Sequence, residues 1–283
     1  MERSVINPLV DQIGKVLIIA HRESTDRLQA TFVQEGFKCE VLRQPDKPEY
    51  QTFASIYRCL LNHQQAWRQA AQSQQPTLIV EADFVPVVGL GNLPLPFNPT
   101  RSDVGMAWLY TCAPQLYAVT ADGFADGFSA ASVAYVLTPQ GAIALQGFVD
   151  DITAKQGTGY YNFDSELDGF LRAQNLKNYL PWRNYGEHGG KANPEHRRYG
   201  MSGLHRADVL WCRLAFLPGY AELPHSSLHF FWARLQARLK GIARLALGKY
   251  LRPKILRNSS HPRRLLSWAI QRQVRGGKPA ASK

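Results

Sequence analysis

The run KVLIIAH (residues 15–21) is continuously apolar and of strand length, and DRLQATFVQEGF after it places Leu28, Phe32 and Val33 at helical spacing before Gly36 ends the pattern. A second short run, KCEVL, follows. The opening therefore predicts a strand–helix–strand unit, which favours a parallel sheet with helices on its faces. Residues 51–73 predict a long helix with Ile56, Leu60, His63 and Trp67 along one stripe, and TLIVEADFV predicts a third strand. Beyond the proline-rich loop LGNLPLPFNPT lie two more strands, VGMAWLY and QLYAV. SVAYVLTPQGAIALQGF reads as a strand, then Thr138 as N-cap, Pro139 as first helical residue, and a helix through Leu145 and Phe148. NFDSELDGFLRAQ predicts a shorter helix starting near Asn162 or Asp164, and the glycine-rich residues 183–206 predict a long loop. The fold class expected is α/β: a mixed, mainly parallel sheet flanked by helices.

The pattern changes character after residue 225. FFWARLQARLKGIARLALGKYL places Phe231, Leu235, Leu239, Ile242 and Leu245 along one side of a helix and Arg234, Arg238 and Arg244 around the rest, and HPRRLLSWAIQRQVR repeats the idea. Net charge sharpens this division. The chain of 283 residues carries +11, but residues 221–283 hold 14 Lys plus Arg against the single acid Glu222, a local +13 that leaves −2 for residues 1–220. Two units are expected: residues 1–225 as the α/β body and 226–283 as a basic amphipathic tail. An anionic membrane surface suits such a tail, with partner-helix packing as the structural alternative. Nucleic acid would use the same charge, yet no recognition module accompanies it.

Apolar residues at 45% and charged residues at 19% fit a globular chain. No run approaches the ~18 apolar residues of a spanning helix. The start MERSVINPLVDQIGK shows no secretory pattern, and Cys39, Cys59, Cys112 and Cys212 lack metal-like spacing. A reduced, cytoplasmic setting is expected.

Candidate chemistry centres on TLIVEADFVP. Alternation in a strand puts Glu81 and Asp83 on one face, at the carboxyl end where open α/β sheets bind ligands. Two such acids suit a hard divalent cation, Mg²⁺ or Mn²⁺, that keeps positions for phosphate oxygens. The alternative is that the strand ends at Glu81 and the acids are solvated. Asp164, Glu166 and Asp168 lie on one short helix, 164 and 168 a turn apart, and are candidates for a general base; acids enriched at a helix start for dipole reasons are the alternative. His63 reads either as a buried, satisfied histidine or as a site residue, and Arg22 as a phosphate contact or a surface cation. His188, His196 and His205, with Glu187, Glu195 and Asp208, are metal-binding types in no known zinc spacing. A loop closing over substrates is the more natural use of that segment.

In order and spacing, LLNHQQAWRQAAQSQQPTLIVEADFVP resembles the glycosyltransferase family 25 pattern, in which a helix LSHxxAW precedes a strand ending LxLEDDxxP. IIAHRESTDRLQATFVQEGF, SVAYVLTPQGAIAL and NFDSELDGFL are similar to that family's first strand and helix, its later strand–turn–helix and its acid-bearing helix, so the resemblance spans roughly residues 15–182. Three positions depart from it: the family's central Asp is Ala82, FASIYRC replaces its glycine-and-glutamate segment, and residues 183–206 have no counterpart. The resemblance implies a GT-A-type fold, a nucleotide-diphosphate sugar donor and inversion at the anomeric carbon. It implies Asp83 as a metal ligand, Glu81 on the metal or the donor ribose, His63 and Arg22 toward the donor, and Asp164 as the favoured base. The function expected is transfer of a hexose, galactosyltransferase-like, to a saccharide or glycolipid acceptor in lipopolysaccharide or cell-surface glycan synthesis, on the inner face of the membrane. A non-catalytic relative that binds glycan or nucleotide and attaches through its tail is the alternative, which Ala82 keeps open.

Overall fold

A computed structural model describes residues 8–190, 198–199, 205–222 and 226–275. One helical turn, α1 (Leu9–Gln12), leads into β1 (Lys15–Ala20), α2 (Asp26–Gln34), β2 (Cys39–Arg43), α3 (Ser55–Ala70) and β3 (Thr77–Glu81). β1 pairs in parallel with both β2 and β3, so the chain leaves it on one side and returns on the other. Right-handed crossovers then put α2 and α3 on opposite faces. Side-chain parity follows: Val16, Ile18, Leu78 and Val80 share a core with Leu28 and Phe32 of α2, while Leu17, Ile19 and Ile79 share one with Ile56, Leu60 and Trp67 of α3.

The remaining elements are β4 (Phe84–Pro86), β5 (Val104–Trp108), β6 (Gln115–Val119), β7 (Ala125–Phe128), β8 (Ala134–Leu137), α4 (Pro139–Ala144), α5 (Phe148–Gln156), α6 (Asp164–Ala173), β9 (Lys177–Leu180), β10 (Gly186–His188), α7 (Ser226–Ala246), α8 (Pro253–Asn258) and α9 (Pro262–Val274). The large sheet has the order β2-β1-β3-β8-β5-β9-β7-β6. β8 and β7 run against the direction shared by its other six strands, and helices cover its faces, giving the mixed α/β class expected from the sequence. Thr138 caps α4 as anticipated, its Oγ1 accepting from Gly141 N at 3.0 Å. Gly141 is required there, because a Cβ would lie 2.1 Å from the Gly105 carbonyl oxygen of β5.

Four expectations need correction. TLIVEADFV is two strands, not one: β3 stops at Glu81, the chain turns at Ala82–Asp83, and β4 leaves the large sheet to pair with β10. Part of the expected 183–206 loop is therefore β-structure; residues 191–197 and 200–204 lie outside the described residues. β7 was hidden because ADGF has turn composition. Asp126 tolerates burial there by accepting from Arg172 at 2.6 Å, and Gly127 fits where a Cβ would meet the Gln115 carbonyl oxygen at 2.4 Å. The helix through Leu145 and Phe148 is divided by a 3-10 turn at Leu145–Gly147.

The basic tail is not a loose appendage. Tyr250, Leu251, Leu265, Trp268 and Ala269 belong to the same core as α3, and the Tyr250 carbonyl accepts from Leu116 N of the edge strand β6 at 2.8 Å. Arg272, 1% exposed, donates to both oxygens of Asp208, joined by Gln273 at 2.8 Å and Asn184 at 3.0 Å. Burial alone would raise the Asp208 carboxyl, but the Arg272 charge and these donors hold it at about 2. A hydrophobic core thus runs across the 225/226 boundary. Arg272→Ala would strand the Asp208 charge, which should cost about 3–5 kcal/mol. Guanidinium titration of the full chain should show that loss in a single transition for body and tail; a loss below about 1 kcal/mol would mean the pair contributes no more than a surface contact.

Candidate active site

β1, β2 and β3 end together at the point where the chain's connections diverge, the position at which open sheets leave a crevice. Two adjoining cavities occupy it. One, about 240 Å³, is lined by His21, Gln44, Arg58 and Asn62. The other, about 440 Å³, is lined by Tyr110, Ser132, Phe163, Asp164 and His188. Ser55, Cys59, Glu81 and Asp83 line both, so the two acids stand where the cavities meet.

Glu81 shares the parity of Ile79 and therefore faces α3. There His63 Nε2 lies 3.3 Å from Glu81 Oε1 and 3.4 Å from Ser132 Oγ, while His63 Nδ1 lies 2.9 Å from the Tyr135 hydroxyl. The partners fix the tautomer. Ser132 spends its proton on Asp164 Oδ1, and Glu81 is an acceptor only, so Nε2 must carry the hydrogen. Tyr135 accepts from Trp67 Nε1 at 2.7 Å and donates to Nδ1. A chain of hydrogen bonds thus joins Trp67, Tyr135 and His63 to Glu81, with Ser132 bridging to Asp164. Burial, with Ser132 opposing it and the Glu81 charge adding to it, pushes the Asp164 carboxyl up to about 6.

Asp83 is held from the other side. The β4–β10 register sets His188 opposite Phe84, next in sequence to Asp83, and His188 Nε2 meets Asp83 Oδ2 at 3.0 Å. Burial would lower the His188 ring, yet the Asp83 charge and hydrogen bond raise it to about 9. Asp83 itself is lowered: burial, the largest single influence, raises it, and the His188 charge and hydrogen bond, a backbone donor and the Arg206 charge together outweigh that rise. Gly190 permits the backbone to pass over this pair: a Cβ there would lie 2.2 Å from Asp83 Oδ2.

Glu81, Asp83 and His188 present ligand atoms that all lie within 4.8 Å of one another. Asp83 Oδ1 is buried without a hydrogen-bond partner among the described residues. A carboxylate oxygen so placed is costly unless something donates to it or coordinates it, and two carboxylates with one imidazole fit a divalent cation. Cys59, His63 and Glu81 form a second converging trio, but it does not fit a cation equally well. Burial raises the Cys59 thiol well above its ordinary value, and His63 is engaged on both nitrogens.

Not every expected residue reaches the cavities. Arg22 is 76% exposed at its side chain and pairs with Asp46 at 3.1 Å, so it faces solvent while its neighbours His21 and Glu23 line the smaller cavity. Glu166 is exposed and accepts from the Tyr161 hydroxyl at 2.8 Å. Asp168 is buried against Arg172 and Asn178, at 2.9 and 2.8 Å, and ties α6 to the sheet. His63 is fully buried and orients Glu81 without opening to either cavity. Glu187 is likewise structural, accepting from Ala207 N at 2.9 Å and from Arg234. Glu195 and His196 lie outside the described residues. Ser132 and His188 are site residues that the sequence did not single out in these roles.

No protein-family model matches the chain, and no curated protein matches it. Among solved structures it is similar to a glycosyltransferase involved in the glycosylation of the major capsid of PBCV-1, at 9% identity and a TM-score of 0.38, over 59% of this chain and 81% of that one. A likeness this weak carries no argument about function.

The Asp83–His188 pair yields a sign-definite test. A histidine raised to about 9 contributes stability that is complete below about 6.5 and is lost as pH rises through about 9. In the metal-free protein, the stability gap between wild type and Asp83→Asn should narrow over that interval, and the His188 ring, followed by NMR, should titrate near 9 only in wild type. A gap that widens with pH would reverse the assignment.

Proposed function

We propose that this chain is a metal-assisted, inverting glycosyltransferase that moves a hexose from a nucleotide-diphosphate sugar to a saccharide acceptor. One observation carries the reading: Glu81 and Asp83, the latter with an unsatisfied carboxylate oxygen, stand at the junction of two cavities, and Asp164 lines the larger. The smaller cavity, over the ends of β1–β3, takes the nucleoside. The larger takes the sugar and the acceptor, so the bond to be broken lies at the acids.

Asp83 and Glu81, with His188 once it has released its proton, are the residues that would hold Mn²⁺ or Mg²⁺. When bound, the cation neutralises charge developing on the diphosphate leaving group. Asp164 accepts the proton of the attacking acceptor hydroxyl; with its carboxyl at about 6 it is ionised at neutral pH yet basic enough for transfer. Ser132 fixes that carboxylate by donating to Oδ1, and His63 fixes Glu81 through Nε2–H. The apolar walls, Tyr110 and Phe163 among them, limit water that would hydrolyse the donor.

The resemblance to family 25 supports a galactose-like donor and an acceptor in lipopolysaccharide or cell-surface glycan synthesis. The tail supports attachment to an anionic membrane on its cytoplasmic face. α7 is inverted relative to a soluble helix: Leu228, Phe231, Trp232, Leu239 and Ile242 are exposed, whereas Arg234 and Arg238 turn inward. α9 likewise exposes Leu266, Ile270 and Val274. No helix among the described residues is long and apolar enough to cross a membrane. A cationic segment with an outward apolar stripe fits the interface, where each basic residue adds about 1 kcal/mol.

Mn²⁺ with uridine or guanosine diphosphate should raise the melting temperature of wild type and not of Asp83→Asn. With a turned-over donor, Asp164→Asn should lower kcat by about 10²–10⁴-fold, and wild-type kcat/KM should rise with pH to a plateau with a midpoint near 6. Absence of any nucleotide shift would favour a non-catalytic binding relative. In vesicle sedimentation the full chain should bind phosphatidylglycerol-containing membranes, release at high salt, and lose about tenfold or more in affinity on Phe231→Ser with Trp232→Ser. Equal binding to neutral phosphatidylcholine vesicles would remove the electrostatic part of that attachment.

A further inference from the structure

A third cavity, about 220 Å³, shares Cys112, Ala113 and His205 with the larger cavity of the candidate site. Its walls bring together Arg206 from the segment after the glycine-rich stretch and Lys240 and Arg244 from α7. None of the three has a carboxylate within ion-pair distance among the described residues. The acid in this cavity, Asp208, is already committed to Arg272 and Gln273. Arg206 is held rigid by donating to the carbonyls of His188 and Gly190, at 3.1 and 3.2 Å, and by stacking over the Tyr220 ring at 3.7 Å. Arg244 Nε is buried with no partner among the described residues. Lys240 and Arg244 both lower the Cys112 thiol against a larger rise from burial, as cations close to the shared wall must.

Three like charges from two segments, converging on one cavity whose acid Asp208 is already paired with Arg272, repel one another and gain from an anion. A fourth cavity, about 390 Å³, continues the path: it shares Arg206, Ala237 and Lys240 and reaches Trp232 and Ala233 on α7. The order from the inside outward is Asp164, then the cations, then an aromatic and apolar flank.

We infer that this third cavity is an acceptor subsite for a phosphate group borne next to the sugar that is glycosylated. The inference rests on the transferase reading for its role in catalysis, but not for the existence of the anion site. Phosphate is the shared chemistry of a free phosphosugar and a lipid-linked saccharide. The fourth cavity distinguishes them, because only the second has an apolar group to lay against Trp232.

Isothermal titration of the full chain with inorganic phosphate, the nucleotide site first saturated with Mn²⁺ and uridine diphosphate, tests this directly. Binding should persist under saturation and weaken at least about tenfold in Lys240→Gln with Arg244→Gln, the loss of two charge-assisted contacts. Lys240→Arg should retain it, and Lys240→Glu should abolish it. Since neither cation has an acid partner, the double variant should keep its melting temperature in phosphate-free buffer. Dodecyl phosphate binding more tightly than inorganic phosphate, with the gain lost in Trp232→Ala, identifies a lipid-linked source; equal affinities identify a soluble phosphosugar. Phosphate binding unchanged in the double variant, or abolished by the nucleotide, overturns the inference. Because the readout is phosphate binding, its failure is separate from failure of the transferase reading, which shows as a missing nucleotide shift.

Discussion

Glu81 ends a core strand and Asp83 lies in the turn after it, and the rest of the site is arranged around making these two carboxylates tolerable. An unpaired buried charge costs several kcal/mol. Here each acid is met by a different imidazole, His63 from α3 for Glu81 and His188 from β10 for Asp83. His63 is held by Tyr135 at Nδ1 and by Ser132 and Glu81 at Nε2. His188 is held protonated by the charge it faces. The first is a brace on Glu81; the second would give up its proton if the proposed cation binds. Compensation at Asp83 is incomplete, since Oδ1 remains without a partner among the described residues.

The architecture supplies the elements this requires. Parallel pairing of β1 with β2 and β3 sends α2 and α3 to opposite faces, and residue parity then determines that Glu81 looks toward α3. The switch of β4 out of the large sheet frees Asp83 from that parity and hands it to β10. The tail is part of the same construction. Arg272 closes the charge of Asp208, whose neighbour Ala207 accepts through its carbonyl from Arg234, so α7 and α9 pin the segment that follows the glycine-rich stretch.

Much of this was legible in the residues. Continuous apolar runs gave β1, β3 and β8, the 3.6-residue period gave α2 and α3, and Thr138–Pro139 gave the start of α4. The convergence of residues 81 and 83 was anticipated, though for an incomplete reason: alternation accounts for Glu81, whereas a turn and a second sheet account for Asp83. What escaped was set by long-range compensation. β7 carries turn composition and is a strand only because Arg172 and the backbone of β6 complete it. Asp168 and Glu166 have the same local pattern as Asp164, and only the tertiary neighbours Arg172, Tyr161 and Ser132 separate a brace, a surface acid and a cavity acid. His188 stood beyond the stretch that resembles a known family. The tail's basic character was plain, but its orientation was not: helical spacing identifies a stripe without saying which way it faces, and the inward side was decided by Glu187 and Asp208 far away in sequence.

The partner of Asp83 comes from the opposite end of the body, more than a hundred positions later in the chain. Contacts of such separation form after local ones, because closing the intervening loop costs entropy before any contact repays it. Glu81 and its brace need β8 as well as the first three strands and α3, because Tyr135 and Ser132 hold His63, whereas Asp83 waits for β10. During synthesis, Asp83 of a ribosome-bound chain would therefore stay without its imidazole until the body is nearly finished.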